Sequence, residues 1–255
     1  MIRVILIANA GIFLETGGVR VFLDAFHHAP EFPFSMIPPA TFKHMTAEPS
    51  IYRDADFIMF SHNHPDHYSP ALLLEYLKTN RVRRVLLPEE PADPSSEAAL
   101  IRYLDEKRIP FWRLGLPRGK QHMYQLMPDV YLSAVGMQHT GEMYRDINCD
   151  CMGLSVKGIR ILFTGDCSFD WESDYETWSD LAPDVVFVNP LFFHSEKGRA
   201  LLHKWNSKNI VIHHIPFEGD DRIALRTLAH RDYVKYAAAF QKVHLLWNAE
   251  QELCL

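Results

Sequence analysis

The apolar run Phe57-Ile58-Met59-Phe60 passes without a break into Ser61-His62-Asn63-His64-Pro65-Asp66-His67. A short continuous apolar stretch is the mark of a buried strand. Such a strand delivers the side chains that follow it to a defined place on a rigid scaffold. Ser69-Pro70 then opens a helix, with a hydroxyl at the cap and proline at the first helical position. Leu72, Leu73, Tyr76 and Leu77 form its apolar face. Four imidazole and carboxylate side chains are thus held between a buried strand and a helix.

These donor types together suit borderline divalent ions such as Zn, Mn, Fe or Co. His62 and His64, two apart in extended chain, face one side and can share one ion. Asp66 and His67 fall on the turn into the helix and can face a second. The chain holds 14 His among 255 residues, and further donors also stand at strand ends. His139 follows the β-like Val130 to Met137. Asp166 ends Ile161-Leu162-Phe163, and His213-His214 end Ile210-Val211-Ile212. A structural zinc site is usually closed by four ligands and rich in cysteine, so seven N/O donors point to a reactive centre.

The other segments read as an alternation of strands and helices. Val4 to Ile7 is a strand, and Ile12–Thr16 with Val19–Asp24 form a hairpin about Gly17-Gly18. Residues 25 to 50, rich in proline, read as one long loop that would shape a pocket. Strands are expected at 82–87, across much of 110–137, and at 159–163, 185–188 and 210–212. Helices are expected near 95–107, 196–205 and 220–240, the last capped by Asp220-Asp221, with a closing strand at 243–247. No repeat or linker divides the chain, so residues 1–255 read as one mixed α/β domain.

In this order the donors resemble the metallo-β-lactamase superfamily. His62, His64, Asp66 and His67 match its His-x-His-x-Asp-His motif, His139 its next histidine, and Thr164-Gly165-Asp166 its bridging-aspartate motif. One of His213 and His214 matches the final histidine, with His214 preferred. The hairpin ending in Leu23-Asp24 is similar to the family's N-terminal motif. The resemblance implies a four-layer αββα sandwich with a dinuclear site along one edge. It implies that His62, His64 and His139 hold one ion, that Asp66, His67 and His214 hold the other, and that Asp166 bridges them. Within the superfamily the chain resembles compact hydrolases related to L-ascorbate-6-phosphate lactonase, although Asn9-Ala10-Gly11 stands where many of them carry Gly-His. His64 in place of Glu argues against the di-iron oxygen-reducing branch. Asp166 in place of Cys, and His67 in place of Arg, argue against the main zinc β-lactamases.

The expected activity is hydrolysis of a phosphoester, phosphodiester or lactone in a small soluble metabolite, by a hydroxide held between two divalent ions. Zinc is favoured, with manganese or iron as alternatives, and Asp66 is the expected catalytic proton acceptor. The alternatives are a non-catalytic metal-dependent sensor of the same fold and a nuclease. A net charge of −6 supplies no general basic field for nucleic acid or an anionic membrane. The length leaves no room for an added nuclease domain. No signal-peptide pattern follows the short apolar start, and four Cys do not make a secreted framework; a cytoplasmic protein is expected. A homo-oligomer is compatible with the resemblance. Asp24 is expected to orient a ligand histidine, and His194 reads as a loop residue, with a substrate or acid contact as the alternative. His27, His28 and His44 could line the pocket. Cys149 and Cys151 read as packing, and Cys167, beside Asp166, as a residue near the metals.

Overall fold

A computed structural model describes residues 1–28, 30, 33–90, 93–178 and 181–255, with the Glu172 side chain left aside. The chain forms two compact units, Met1–Leu114 with Asn248–Leu255, and Gly115–Trp247.

The first unit opens with β1 (Ile2–Leu6), β2 (Ile12–Thr16) and β3 (Val19–Leu23). These pair antiparallel, and the expected hairpin has Thr16 opposite Val19 across Gly17-Gly18. Helix α1 (Pro39–Thr46) follows, then β4 (Phe57–Met59), α2 (Pro70–Thr79), β5 (Arg84–Leu87), α3 (Pro94–Lys107) and β6 (Phe111–Arg113). Strands β3 to β6 are parallel. Phe13, Phe22, Phe26, Phe60, Tyr68 and Tyr76 pack at the centre of this unit's core. The caps follow local chemistry: Ser69 accepts from the Leu72 amide, and the Asp93 carboxylate accepts from the Ser95 and Ser96 amides.

The second unit contains β7 (Gln121–Met127), β8 (Val130–Gln138), β9 (Asn148–Val156), β10 (Ile159–Phe163) and β11 (Val185–Val188). After them come α4 (Pro190–His194), α5 (Glu196–Trp205), β12 (Asn209–Ile212), α6 (Leu225–Tyr236) and β13 (Val243–Leu245). Here β7 to β10 are antiparallel and β10 to β13 parallel. The last strand, β14 (Glu252–Cys254), pairs antiparallel with β1 in the first unit's sheet. Each sheet has seven strands and one switch from antiparallel to parallel, at β3 and at β10. Asp24 directly follows the first of these strands, and Asp166 lies three residues past the second.

Four readings change. The segment 25–50 is not one loop, since α1 lies within it; Pro39 presets the first turn, while only Thr41 and Met45 are buried, too few for a visible periodicity. Residues 29, 31 and 32 of that segment lie outside the described residues. Strand β9 was not expected because it is covered on both faces and lacks polar alternation. Gly153 within it leaves room for Trp178, whose ring would sit 2.4 Å from an added Cβ. The last helix begins at Leu225, not 220, and Asp221 caps it from a turn by accepting from the Leu225 and Arg226 amides. The segment at 243–247 is not the chain's final strand, because β14 follows it. No helix among the described residues is long and apolar enough to cross a membrane.

Gly11, in the segment that departs from the family's Gly-His pair, has a packing reason. A Cβ there would lie 2.5 Å from the Ala25 Cα and 2.8 Å from the Asp24 carbonyl oxygen. Gly11→Ala should therefore cost about 1–3 kcal/mol, the range for overpacking, read as a lower urea midpoint. A midpoint equal to the parent's would contradict this close approach.

Candidate metal centre

In the first unit, the apolar β4 passes directly into the donor loop. The His64 carbonyl accepts from the His67 and Tyr68 amides, both at 3.0 Å, which tightens the loop into a turn just before α2. His62, Asp66 and His67 are buried and His64 is half-buried. The His62 ring centroid lies 4.6 Å from that of His64 and 4.1 Å from that of His67. The Asp66 Oδ2 is 3.5 Å from the His67 Nε2.

Asp24 organises this loop. Its side chain is fully buried, and a buried carboxylate must be hydrogen-bonded to be tolerated. Oδ1 accepts from the Ser61 amide at 2.7 Å. Oδ2 accepts from the Ser61 hydroxyl at 2.5 Å and from the His67 Nδ1 at 2.8 Å. Ser61 has one hydroxyl proton, and it is given to Asp24. Its oxygen, 2.9 Å from the His62 Nδ1, must then accept from that nitrogen. Both His62 and His67 therefore carry their proton on Nδ1 and keep a lone pair on Nε2. The backbone of Asp24 is itself held at a φ of 48°, a region sparsely used by residues other than glycine.

The second unit repeats this logic. The His139 Nδ1 lies 2.6 Å from the Thr140 carbonyl oxygen, which can only accept, so this ring too has its lone pair on Nε2. The Asp166 Oδ2 has the His139 Nε2 at 3.5 Å and the His214 Nε2 at 3.4 Å. Its Oδ1 accepts from the Asn189 side-chain amide at 3.0 Å. One carboxylate oxygen thus lies beside two imidazole nitrogens, a grouping of donors able to hold a metal ion. His214 has a φ of 60°. His213 instead packs against Phe163 and Phe187, at ring separations of 5.2 and 5.9 Å.

Donor chemistry in both units therefore fits divalent cations: imidazoles of His62, His67 and His139 held through Nδ1 with Nε2 left to ligate, and carboxylates beside them. In the first unit His62, His64, Asp66 and His67 come together; in the second, His139, Asp166 and His214 do. Sequence reasoning missed Ser61 and Asn189. Ser61 stands directly before the histidine motif, and Asn189 ends the run that β11 begins, but neither type signals a ligand-orienting role by itself.

The remaining candidates have other partners. His27 is fully buried, with Nδ1 3.0 Å from the Pro65 carbonyl oxygen and Nε2 3.1 Å from that of Phe34. Burial pushes its imidazole below the ordinary histidine range. His28 is exposed, and His44 pairs with Glu250 on the surface at 3.1 Å. The His194 Nδ1 meets the buried Asp232 carboxylate at 2.7 Å, leaving a half-exposed ring. Cys149, Cys151 and Cys167 are all buried in the second unit's core, and burial raises the Cys167 thiol well above its ordinary range.

No family model matches the chain, and no curated protein matches it in sequence. Solved structures do match. A metallo hydrolase from the hyperthermophilic archaeon Ignicoccus hospitalis shares 14% identity over 100% of this chain and 99% of its own, with a TM-score of 0.60. The metallo-β-lactamase fold protein YhfI from Bacillus subtilis shares 12% identity over 100% of both chains, with a TM-score of 0.58. An isothiocyanate hydrolase from Delia radicum gut bacteria shares 14% identity over 99% of both chains, with a TM-score of 0.63. The chain has the metallo-β-lactamase fold, with two mixed sheets and their helices, as the sequence leads one to expect.

Replacing Asp24 by Asn puts an amide donor where two donors already point. Divalent-ion affinity should fall about 10–100-fold, the usual effect of losing a ligand's supporting partner, as read by chelator competition with Zn. Affinity equal to the parent's would contradict the role given to Asp24.

Proposed function

We propose that this chain is a metal-dependent hydrolase that cleaves an ester-type bond, a phosphoester, phosphodiester or lactone, in a small soluble metabolite. The observation that carries the reading is the Asp166 Oδ2 beside the Nε2 atoms of His139 and His214. In this reading His62, His64, Asp66 and His67 in the first unit and His139, Asp166 and His214 in the second would hold divalent ions. Zinc suits the nitrogen-rich set best, with manganese and iron as alternatives. Divalent ions bound there would lower the pKa of a coordinated water toward neutrality and polarise the scissile group as Lewis acids.

The chain's own residues do the rest. Asp66 would ligate through one oxygen and keep the other to accept the proton released by water. Asp24, through Ser61 and His67, keeps two imidazoles in the ligating tautomer. Asn189 fixes the Asp166 carboxylate. Nearby side chains that could act as covalent nucleophiles are committed elsewhere: the Ser61 hydroxyl donates to Asp24, and the Cys167 thiol is kept protonated by burial. Water is the nucleophile in this reading. The absence of a disulfide at any of the four cysteines supports the cytoplasm as the place of action.

The test is turnover on a panel of phosphomonoesters, cyclic phosphodiesters, lactones and thioesters by zinc-loaded protein. The likeness to an isothiocyanate hydrolase adds an isothiocyanate to that panel. One ester class should be hydrolysed, and Asp166→Asn should lower kcat at least about a hundredfold with an unchanged circular dichroism spectrum. Equal turnover by the variant would reject the mechanism. Tight binding of a panel member without turnover would favour a sensor.

A further inference from the structure

Four strands lie at the edges of the two sheets: β14 and β6 in one, β13 and β7 in the other. An exposed edge offers unpaired main-chain groups to any other strand, and proteins usually blunt it by shortness or charge. Three of these edges are blunted in that way. Strands β6, β13 and β14 have three residues each; β6 contains Arg113, β14 contains Glu252, and Lys242 adjoins β13. Strand β7 differs on both counts. It runs for seven residues, Gln121-His122-Met123-Tyr124-Gln125-Leu126-Met127, with no Asp, Glu, Lys, Arg or Pro. Gln121, His122, Met123 and Gln125 are exposed, Met123 by 66%.

The pairing of β7 with β8 fixes which groups face outward. The Gly136 amide donates to the Lys120 carbonyl, and Gln121 to Gln125 stand opposite Val135 to Tyr131 in unbroken register. Alternation in an antiparallel ladder then turns the N–H and C=O of Gln121, Met123 and Gln125 away from β8. The register shifts between Gln125 and Met127, so this regular stretch is symmetric about Met123.

We propose that β7 is the surface through which a second copy of this chain pairs, antiparallel about a two-fold axis at Met123. Gln121 of each copy lies opposite Gln125 of the other, and Met123 opposite Met123. Charge selects this occupant and this direction. Each chain carries a net charge of −6, so two copies approach best where neither carries charge. Lys120 precedes the strand and Asp129 follows it, both exposed. Antiparallel pairing sets the cationic end of one copy against Asp129 of the other, whereas parallel pairing would set like charges together. The contact is isologous and closes at two copies, joining two seven-stranded sheets into one.

Sedimentation equilibrium of the full chain across a wide range of loading concentrations reads the outcome. The parent should move from 29.5 kDa toward twice that mass, with amide exchange at Gln121, Met123 and Gln125 slowing as concentration rises. Met123→Lys with Gln125→Lys places four lysines around the axis at exposed positions. That variant should stay at 29.5 kDa with an unchanged circular dichroism spectrum, while Met123→Leu should behave as the parent. A parent chain that stays monomeric, whether the edge is bare or is taken by a strand of another protein, overturns the proposal. So does a dimer that survives the two lysines.

Discussion

The buried Asp24 carboxylate is the interaction from which the organisation of the first unit's donor loop follows. An unpaired charge at zero exposure would be prohibitively costly, and here three donors answer it: the Ser61 amide, the Ser61 hydroxyl and the His67 ring. Those same bonds decide the protonation of two imidazoles. The price of burying one charge thus becomes a means of aiming lone pairs. Gly11 belongs to the same device, because only a residue without a side chain lets that backbone pass so near Ala25 and Asp24.

The second unit reaches a similar end by different groups. Asp166, like Asp24, follows the strand at which its sheet changes from antiparallel to parallel. Both aspartates stand in the loop just past the carboxyl end of that strand, where loops positioned by a rigid scaffold carry functional side chains. Asp24 uses its oxygens to orient imidazoles through their Nδ1 side. Asp166 instead faces the Nε2 side of His139 and His214, the side from which a ligand bond forms. The two aspartates thus differ in which ring nitrogen each meets, Nδ1 for Asp24 and Nε2 for Asp166.

Much of this was legible in the sequence because the relevant signals are local. The hairpin at Gly17-Gly18, the Ser69-Pro70 helix start and the helix over 196–205 each rest on a few adjacent residues. The histidine motif behind β4 was legible for the same reason. What escaped depends on distant partners. Strand β9 is fixed by its pairing with β8 and β10 along its two edges and by packing on its faces, such as Trp178 against Gly153. Strand β14 exists through its pairing with β1, at the opposite end of the chain. The preference for His214 over His213 follows from the resemblance, in which the ligand stands two residues beyond the strand's apolar stretch. The structure adds the physical contrast: one ring lies among phenylalanines, while the other follows a left-handed backbone position toward Asp166. Ser61 and Asn189 have no sequence signature, because a hydroxyl or amide becomes a support only once its neighbour is fixed.

Native mass spectrometry of the intact chain after equilibration with zinc tests the central claim most directly. The account predicts two zinc ions per chain, both lost when His139 and His67 are replaced together. A chain that takes up no zinc, or that binds a single ion however much is supplied, would contradict it.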